Sequence, residues 1–528
     1  MSETFLTDKL TQCLQGCLAD ARKGGLSAMS RLIEQTLQQI AQPMQLAVIG
    51  NISSSKSTFV NALLGAEVVG MGMMETTYNV SWIKYGSLEQ DIRVVYKDGQ
   101  TETIARTDWE QWMNQSAEKL NKDVLYLEVT YPHEMLKRIN IIDTPGLNSV
   151  KGTDSQNTID FLKKVKPDAV IMVFTKAIAE STMEVLDNFQ NAGGKNKFRL
   201  SPLNAIGLYA KIDSMWSPEN VTDPVEKASK VIYSNIFSKF PQVKKSLHTI
   251  FPICSIVGLA AKTISQEDFD AFNALTAIPY EELKELCSNP DFFIEEDITA
   301  YADISSEVRK SLYLKYQLYG VFSIITYLAR THCSIAQLKD YLMQISGMRK
   351  VENRLLMHFG DRAMLIKTQN IAKQILNECK EVQKVSGRNE YADQIENELL
   401  KTLRDMNEYN ELEYLSRIYD GDISQLTEEG QKALEEYKTL CGEDGYSVRQ
   451  RLKLPEEADY DTMVETAEQY ATKANQKALY AFARADKELY NMMYMSYNIL
   501  IERIKEMWQR KQRAEQDLVI AQSFFYGE

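Results

Sequence analysis

Gly50-Asn51-Ile52-Ser53-Ser54-Ser55-Lys56-Ser57 follows the apolar run Leu46-Ala47-Val48-Ile49 and precedes the helical run Thr58-Phe59-Val60-Asn61-Ala62-Leu63-Leu64. Strand, loop with Lys-Ser, then helix is the setting in which GxxxxGK[ST] binds phosphate. Backbone N–H groups of the loop and of the helix N-terminus, contributed by Gly50, Asn51, Ser53, Ser54, Ser55, Lys56, Ser57 and Thr58, can surround phosphate oxygens. Lys56 supplies a cation for β- and γ-phosphates, and the Ser57 hydroxyl is an oxygen ligand for Mg²⁺. Ser55 stands where the motif has its second glycine. If the backbone there needs φ > 0, a serine costs about 1–2 kcal/mol. That is roughly 5- to 30-fold in nucleotide affinity.

Other candidates appear in order along the chain. Asp143-Thr144-Pro145-Gly146 follows the apolar run Ile139-Asn140-Ile141-Ile142. Asp143 can hold Mg²⁺ through water, and the Gly146 N–H can meet a γ-phosphate. Glu75-Thr76-Thr77 lies between the two motifs, and Thr77, or alternatively Thr76, can reach Mg²⁺ and γ-phosphate from a mobile loop. Leu208-Tyr209-Ala210-Lys211-Ile212-Asp213 ends another apolar strand and is similar to [NT]KxD. The Asp213 carboxylate can accept two hydrogen bonds from guanine N1 and N2, which adenine cannot supply, while the Lys211 stem covers the base. Ala210 lacks the polar side chain usual at the first position. Pro252-Ile253-Cys254-Ser255, with Ser255 as the contact, is the candidate final base-side loop. Preference for ATP over GTP would overturn the base assignment.

These residues need a sheet to hold them. Candidate strands are Gln45–Ile49, Val80–Tyr85, Ile92–Lys97, Val124–Tyr131, Ile139–Ile142, Ala169–Phe174, Ala205–Ala210 and Thr249–Cys254. Strands alternating with helical patterns predict an α/β domain with a mixed, mainly parallel sheet. Eleven of the twelve prolines fall at or before Pro290, which leaves the remainder free to form long helices. Residues 1–41 read as two helices broken at Gly24-Gly25. Further helices are expected over 292–346, 349–384, 390–418 and 424–440. The stripe Met463, Ala467, Tyr470, Ala474, Ala478, Ala481, Ala485, Leu489, Met492, Ser496, Ile499 predicts one near-continuous helix over 461–524, about 95 Å long.

At 528 residues the chain has room for two or more domains. A net charge of −13 argues against nonspecific nucleic-acid binding and gives no general attraction to anionic lipid. Seven cysteines without a CxxC pair, and four scattered histidines, make no metal-site spacing; free thiols in a reducing cytoplasm are expected. No apolar run is long enough to span a bilayer, and the N-terminal residues lack a signal pattern. Arg449-Gln450-Arg451-Leu452-Lys453-Leu454-Pro455 alternates cations with leucines and is the one tip-like segment of the C-terminal half; it reads as a solvated loop with anchoring leucines.

On GNISSSKSTFVNALLG, ETTYNVSWIKYG, INIIDTPGLNS and YAKID, with helical flanks on both sides, the chain resembles the dynamin superfamily of large GTPases, its bacterial dynamin-like branch above all. Met348 to Lys367 is similar to the helix leading into that family's trunk. The resemblance implies a P-loop GTPase domain over 42–290, neck helices at 1–41 and 291–346, and a helical trunk over 347–528. It implies GTP hydrolysis with Mg²⁺, faster when heads dimerise across the nucleotide, as a homodimer or with a sister dynamin-like protein. Ser53 then helps stabilise transition-state charge, often with a monovalent cation such as K⁺ or Na⁺. Ser53, Lys56, Thr77 and Gly146 form the implied catalytic set, and Ser57, Thr77 and Asp143 the implied metal set. No glutamine follows Gly146, where Leu147-Asn148-Ser149 stand, which fits a family that positions water without one. A cytoplasmic protein with peripheral contact at the inner face of a membrane is expected by the same analogy. The alternative is a nucleotide-gated scaffold, motivated by Ser55 and Ala210.

Overall fold

A computed structural model describes residues 3–51, 54–69, 79–108, 124–146, 167–175, 203–219, 222–239, 243–247, 249–355, 363–420, 425–442 and 447–526, with positions 112, 165 and 359. The described chain divides into two compact units, one of residues 43–363 and one of residues 1–42 with 364–528.

The first unit is built on a nine-stranded sheet. Its strands are β1 (Met44–Gly50), β2 (Ser81–Tyr85), β3 (Ile92–Tyr96), β4 (Thr101–Ile104), β5 (Val124–Tyr131), β6 (Ile139–Asp143), β7 (Ala169–Phe174), β8 (Ala205–Tyr209) and β9 (Ile250–Pro252). The order is β4-β3-β5-β2-β6-β1-β7-β8-β9. The run β6-β1-β7-β8-β9 is parallel throughout, and β2 joins β6 antiparallel. The sheet is therefore mixed and mainly parallel, as expected. β6, β7 and β8 are buried at every residue, which is why they read as unbroken apolar runs rather than alternations.

Strand β4 was not expected. Its sequence, Thr-Glu-Thr-Ile, is polar and exposed because it is an edge strand, so it carries no apolar signal. A turn through Asp98-Gly99, with Gly99 at φ 92°, folds it back onto β3.

The described helices of this unit are Lys56–Leu64, Pro224–Val231, Val243–Ser246, Ser255–Thr263, Gln266–Leu275, Tyr280–Leu286, Pro290–Glu295, Ser306–Arg330, Ile335–Ile345 and Met348–Arg354. Residues 291–346, expected as neck helices, lie within the core of the sheet unit: Phe293, Tyr316, Phe322 and Leu342 join the cluster that contains Met172, Phe174 and Tyr209.

The second unit is helical. Its members are Glu3–Lys23, Ser27–Ile40, Ala363–Ser386, Glu390–Arg404, Asn407–Asp420, Glu428–Leu440, Val448–Arg451, Tyr460–Tyr480 and Arg484–Tyr526, apart from Ala363 itself. The break at Gly24-Gly25 is present, with Gly25 at φ 65°. The N-terminal helices dock on the C-terminal ones through Lys9 Nζ on the Asp405 carbonyl at 3.2 Å and Lys367 Nζ on the Gln39 carbonyl at 3.0 Å.

The helix expected over 349–384 is described as Met348–Arg354 and Ala363–Ser386, and residues 356–358 and 360–362 between them lie outside the described residues. Two expected helices are interrupted. That over 390–418 breaks at Asp405-Met406. The near-continuous helix over 461–524 is instead an antiparallel hairpin whose arms, Tyr460–Tyr480 and Arg484–Tyr526, meet at Ala481-Phe482-Ala483. Tyr460 stacks on Trp508 at 4.6 Å, Tyr470 meets Tyr497 at 5.7 Å, and Lys477 Nζ lies 5.2 Å from the Tyr490 ring. A small-residue stripe buried between two arms has the same spacing as one buried along a single rod, so periodicity could not separate the two. Arg449–Pro455 is not a tip: Leu452 is buried, and Arg451 Nε donates to the Leu440 carbonyl at 2.5 Å.

Candidate nucleotide site

The site residues that lie within the described chain gather at the carboxyl edge of the parallel strands, where ligands of open α/β sheets bind. Gly50 ends β1, Asp143 ends β6, Lys211 and Asp213 follow β8, and Ser255 follows β9. Ser53, Thr76 and Thr77 lie outside the described residues, as do Leu147, Asn148 and Ser149. β2, the strand after Thr77, starts at Ser81 paired with Asp143.

The phosphate loop is set by backbone geometry. A Cβ on Gly50 would lie 2.4 Å from the Val173 carbonyl of β7, so only glycine fits. Ser55 has φ 66° and ψ 30°, left-handed geometry, immediately before the helix Lys56–Leu64. The backbone therefore does demand φ > 0 where the motif carries glycine, and serine bears the strain. Lys211 has φ 59°. Of the four non-glycine residues with positive φ among the described residues, two thus sit in this one site.

Polar groups converge on the loop. Lys56, buried, donates from Nζ to the Gly50 carbonyl at 3.2 Å and the Asn51 carbonyl at 2.9 Å. Ser57 Oγ donates to Asp143 Oδ2 at 2.7 Å. Asp143 is fully buried, and burial pushes its carboxyl up to about 6, against the pull of the Ser57 hydroxyl, the Lys56 charge and the Thr144 N–H. Its Oδ1 has no hydrogen-bond partner among the described residues, and neither does the buried hydroxyl of Ser54. A buried carboxylate oxygen without a donor, beside a hydroxyl, is a hard-oxygen pair suited to Mg²⁺, so the residues present fit that ion. Thr144 Oγ1 donates to the Val48 carbonyl at 2.8 Å and pins the segment leading to Gly146 against β1.

On the other side, Asp213 lies in the single turn Ile212–Met215 after Lys211, and its Oδ1 accepts from the Cys254 thiol at 3.4 Å. Burial, reinforced by the Asp213 charge, raises Cys254 well above the ordinary thiol range, so it remains a protonated donor. The sequence reading named Ser255 and missed Cys254 as the residue that orients Asp213. Only its place beside Ser255 hinted at this. Ser255 is buried, and its hydroxyl has no partner among the described residues. Ala210 is also buried and continues β8 by its N–H bond to the Phe174 carbonyl at 2.8 Å.

Residues 46–200, which carry the phosphate loop and Asp143, match the family model described as "Dynamin family". Isoniazid-induced protein IniC of Mycobacterium tuberculosis is 24% identical over 294 residues, 55% of this chain and 58% of the relative. Dynamin-like protein 2 of Campylobacter jejuni is 26% identical over 138 residues, 26% of this chain and 22% of the relative. Bacterial dynamin-like protein of Nostoc punctiforme is 28% identical over 128 residues, 22% of this chain and 18% of the relative. The chain thus spans just over half the length of the first relative and about a fifth of the other two. No helix of the described residues is long and apolar enough to cross a membrane.

Proposed function

We propose that this chain binds and hydrolyses GTP, with heads that dimerise across the nucleotide and a helical unit that moves in response. The observation that carries the reading is the convergence of Lys56, Ser57, Asp143 and Asp213 at one sheet edge, on a loop strained into phosphate-binding geometry at Ser55. Loop N–H groups and Lys56 hold the phosphates, leaving their present partner, the loop carbonyls, for phosphate oxygens. Ser57 and Asp143 hold Mg²⁺, with Thr77 joining them. The ion neutralises charge on the phosphates when bound. Gly146 and Ser53 face the γ-phosphate, and a K⁺ or Na⁺ ion assists Ser53, as the resemblance implies. Lys211 covers the base, while Asp213, held by the Cys254 thiol, selects guanine; Ser255 lies beside it. The partner in the dimer is a second copy or a sister dynamin-like protein.

Peripheral membrane contact is assigned to the hairpin end. Leu479, Tyr480 and Phe482 are 70%, 80% and 105% exposed there, with Lys477 and Arg484 on either side. Aromatic side chains flanked by cations suit a lipid–water interface. The test is phosphate release from GTP against protein concentration, in K⁺ buffer with and without liposomes. Turnover per head rising with concentration is expected. No phosphate release under any of these conditions sinks the reading. Asp213→Ala should abolish the preference for GTP over ATP; a preference that survives removes Asp213 from base recognition.

The scaffold reading is favoured by one observation, the left-handed Ser55. It predicts weak, Mg²⁺-independent nucleotide binding by calorimetry, where the GTPase reading predicts tight, Mg²⁺-dependent binding.

A further inference from the structure

The helical unit contains a cavity of about 160 Å³ where four elements meet, comparable to one that accommodates a benzene-sized molecule. Its walls come from Glu428–Leu440, the turn after Val448–Arg451, and both arms of the hairpin. Four cations line it, Arg451, Lys453, Lys473 and Lys477, against one acid, Glu436. That local excess stands out in a chain with net charge −13. Tyr470, Tyr490 and Tyr497 supply the remaining wall.

Some of these cations are committed. Lys477 pairs with Glu429 at 2.8 Å, and Arg451 donates to a main-chain carbonyl. Lys453 and Lys473 are exposed at the rim. Lys453 also has φ 54°, at the end of a four-residue helix closed by Leu454 N–H on the Arg449 carbonyl at 2.7 Å. Glycine is the ordinary residue at such a position, so a lysine is held there against backbone strain. Tyr490 is only 4% exposed and lines the cavity, and its hydroxyl, beside Lys477 and Glu429, makes no hydrogen bond of ordinary geometry among the described residues. Buried hydroxyls are ordinarily satisfied.

We propose that this cavity binds the phosphate group of an organic phosphate ester, with Lys453 and Lys473 on the phosphate oxygens, the Tyr490 hydroxyl as a further hydrogen-bond donor, and the tyrosine rings against the ester's body. The ester is either a phospholipid headgroup or a soluble phosphomonoester. The site stands apart from the nucleotide site and does not rest on the GTPase reading.

The experiment has two arms on the full chain: calorimetric titration with glycerol 3-phosphate, and co-sedimentation with phosphatidylglycerol vesicles. GDP is kept saturating in both so that the nucleotide site is filled. The double variant Lys453→Gln/Lys473→Gln is compared with Lys432→Gln/Lys487→Gln, which removes the same charge from exposed positions outside the cavity. Binding in either arm that falls at least about tenfold in the first variant alone supports the site, and the arm identifies the source. Tyr490→Phe should weaken the same binding several-fold, since it removes a hydroxyl donor from the cavity wall. Absence of binding in both arms, or equal loss in both double variants, overturns the proposal.

Discussion

The loop end of the nucleotide unit and the far end of the helical hairpin differ in what constrains them. At the loop, the backbone is tightly specified: Gly50 cannot carry a Cβ against the Val173 carbonyl, and Ser55 is held left-handed. Polar groups meet there at short range, as the half-buried Ser57 hydroxyl and the buried Asp143 carboxylate do at 2.7 Å. At the hairpin end, side chains rather than backbone carry the information. Alanines 467, 471, 474 and 478 are buried in the seam, and the large residues 479, 480 and 482 are turned outward. A site for phosphate needs fixed N–H vectors, whereas a seam between helices needs only small volume and tolerates any sequence that supplies it. The buried Asp486 ties one arm of the hairpin to the start of Glu428–Leu440 by accepting from the Thr427 N–H at 3.1 Å, so its polar anchor is a tertiary contact.

The contrast can be broken most forcefully at Lys56. Lys56→Ala should lower GTP turnover by about 10²- to 10³-fold while leaving the denaturation of the helical unit unchanged. Phosphate release together with a denaturant titration checks both halves. Retained turnover would detach the loop from the chemistry.

Asp143→Asn probes the buried carboxyl. Its folded pKa of about 6 lies above the ordinary value of 3.8, so the protonated carboxyl favours folding fully below pH 3.8. That contribution is lost as pH rises through about 6. The neutral variant should therefore be more stable than the wild type without metal at pH 7.5, by up to about 3 kcal/mol, and the gap should close toward pH 4. Stabilisation by Mg²⁺ with nucleotide should disappear in the same variant. Thermal melts across pH, with and without Mg²⁺, measure both effects.

Ala467→Leu tests the seam, where overpacking should cost about 1–3 kcal/mol. Nucleotide affinity should not change, because Ala467 lies in the other compact unit. A loss of affinity would show that packing in the seam is coupled to the nucleotide loop. Ser55→Gly has the smallest expected effect. Relief of left-handed strain should tighten nucleotide binding by about fivefold, near 1 kcal/mol, as read by calorimetry.

Much of the nucleotide unit was legible in the chain. Each of the eight expected strands is present to within a residue or two at its ends; β6, β7 and β8, buried on both faces, are apolar along most of their length, and the others still carry an apolar face. β4 escaped for the opposite reason, being a polar edge. Lys56, Ser57, Asp143 and Asp213 were found by motif and order. The role of Cys254 was not, since its contact with Asp213 joins residues 41 positions apart through the ends of β8 and β9.

By itself the sequence determined the alternation of strands and helices and the residue types at the loop, while the left-handed backbone at Ser55 came from the structure. Local chemistry governs the first two, through periodicity and donor type. Only the tertiary structure decided that the stripe from Met463 to Ile499 folds into two arms, that Leu479, Tyr480 and Phe482 stand outside, and that Lys453, Lys473 and Tyr490 share one cavity. The stripe reads the same along one helix or between two, so the choice rests on which partner surface buries it, and that surface is supplied by residues distant in the chain.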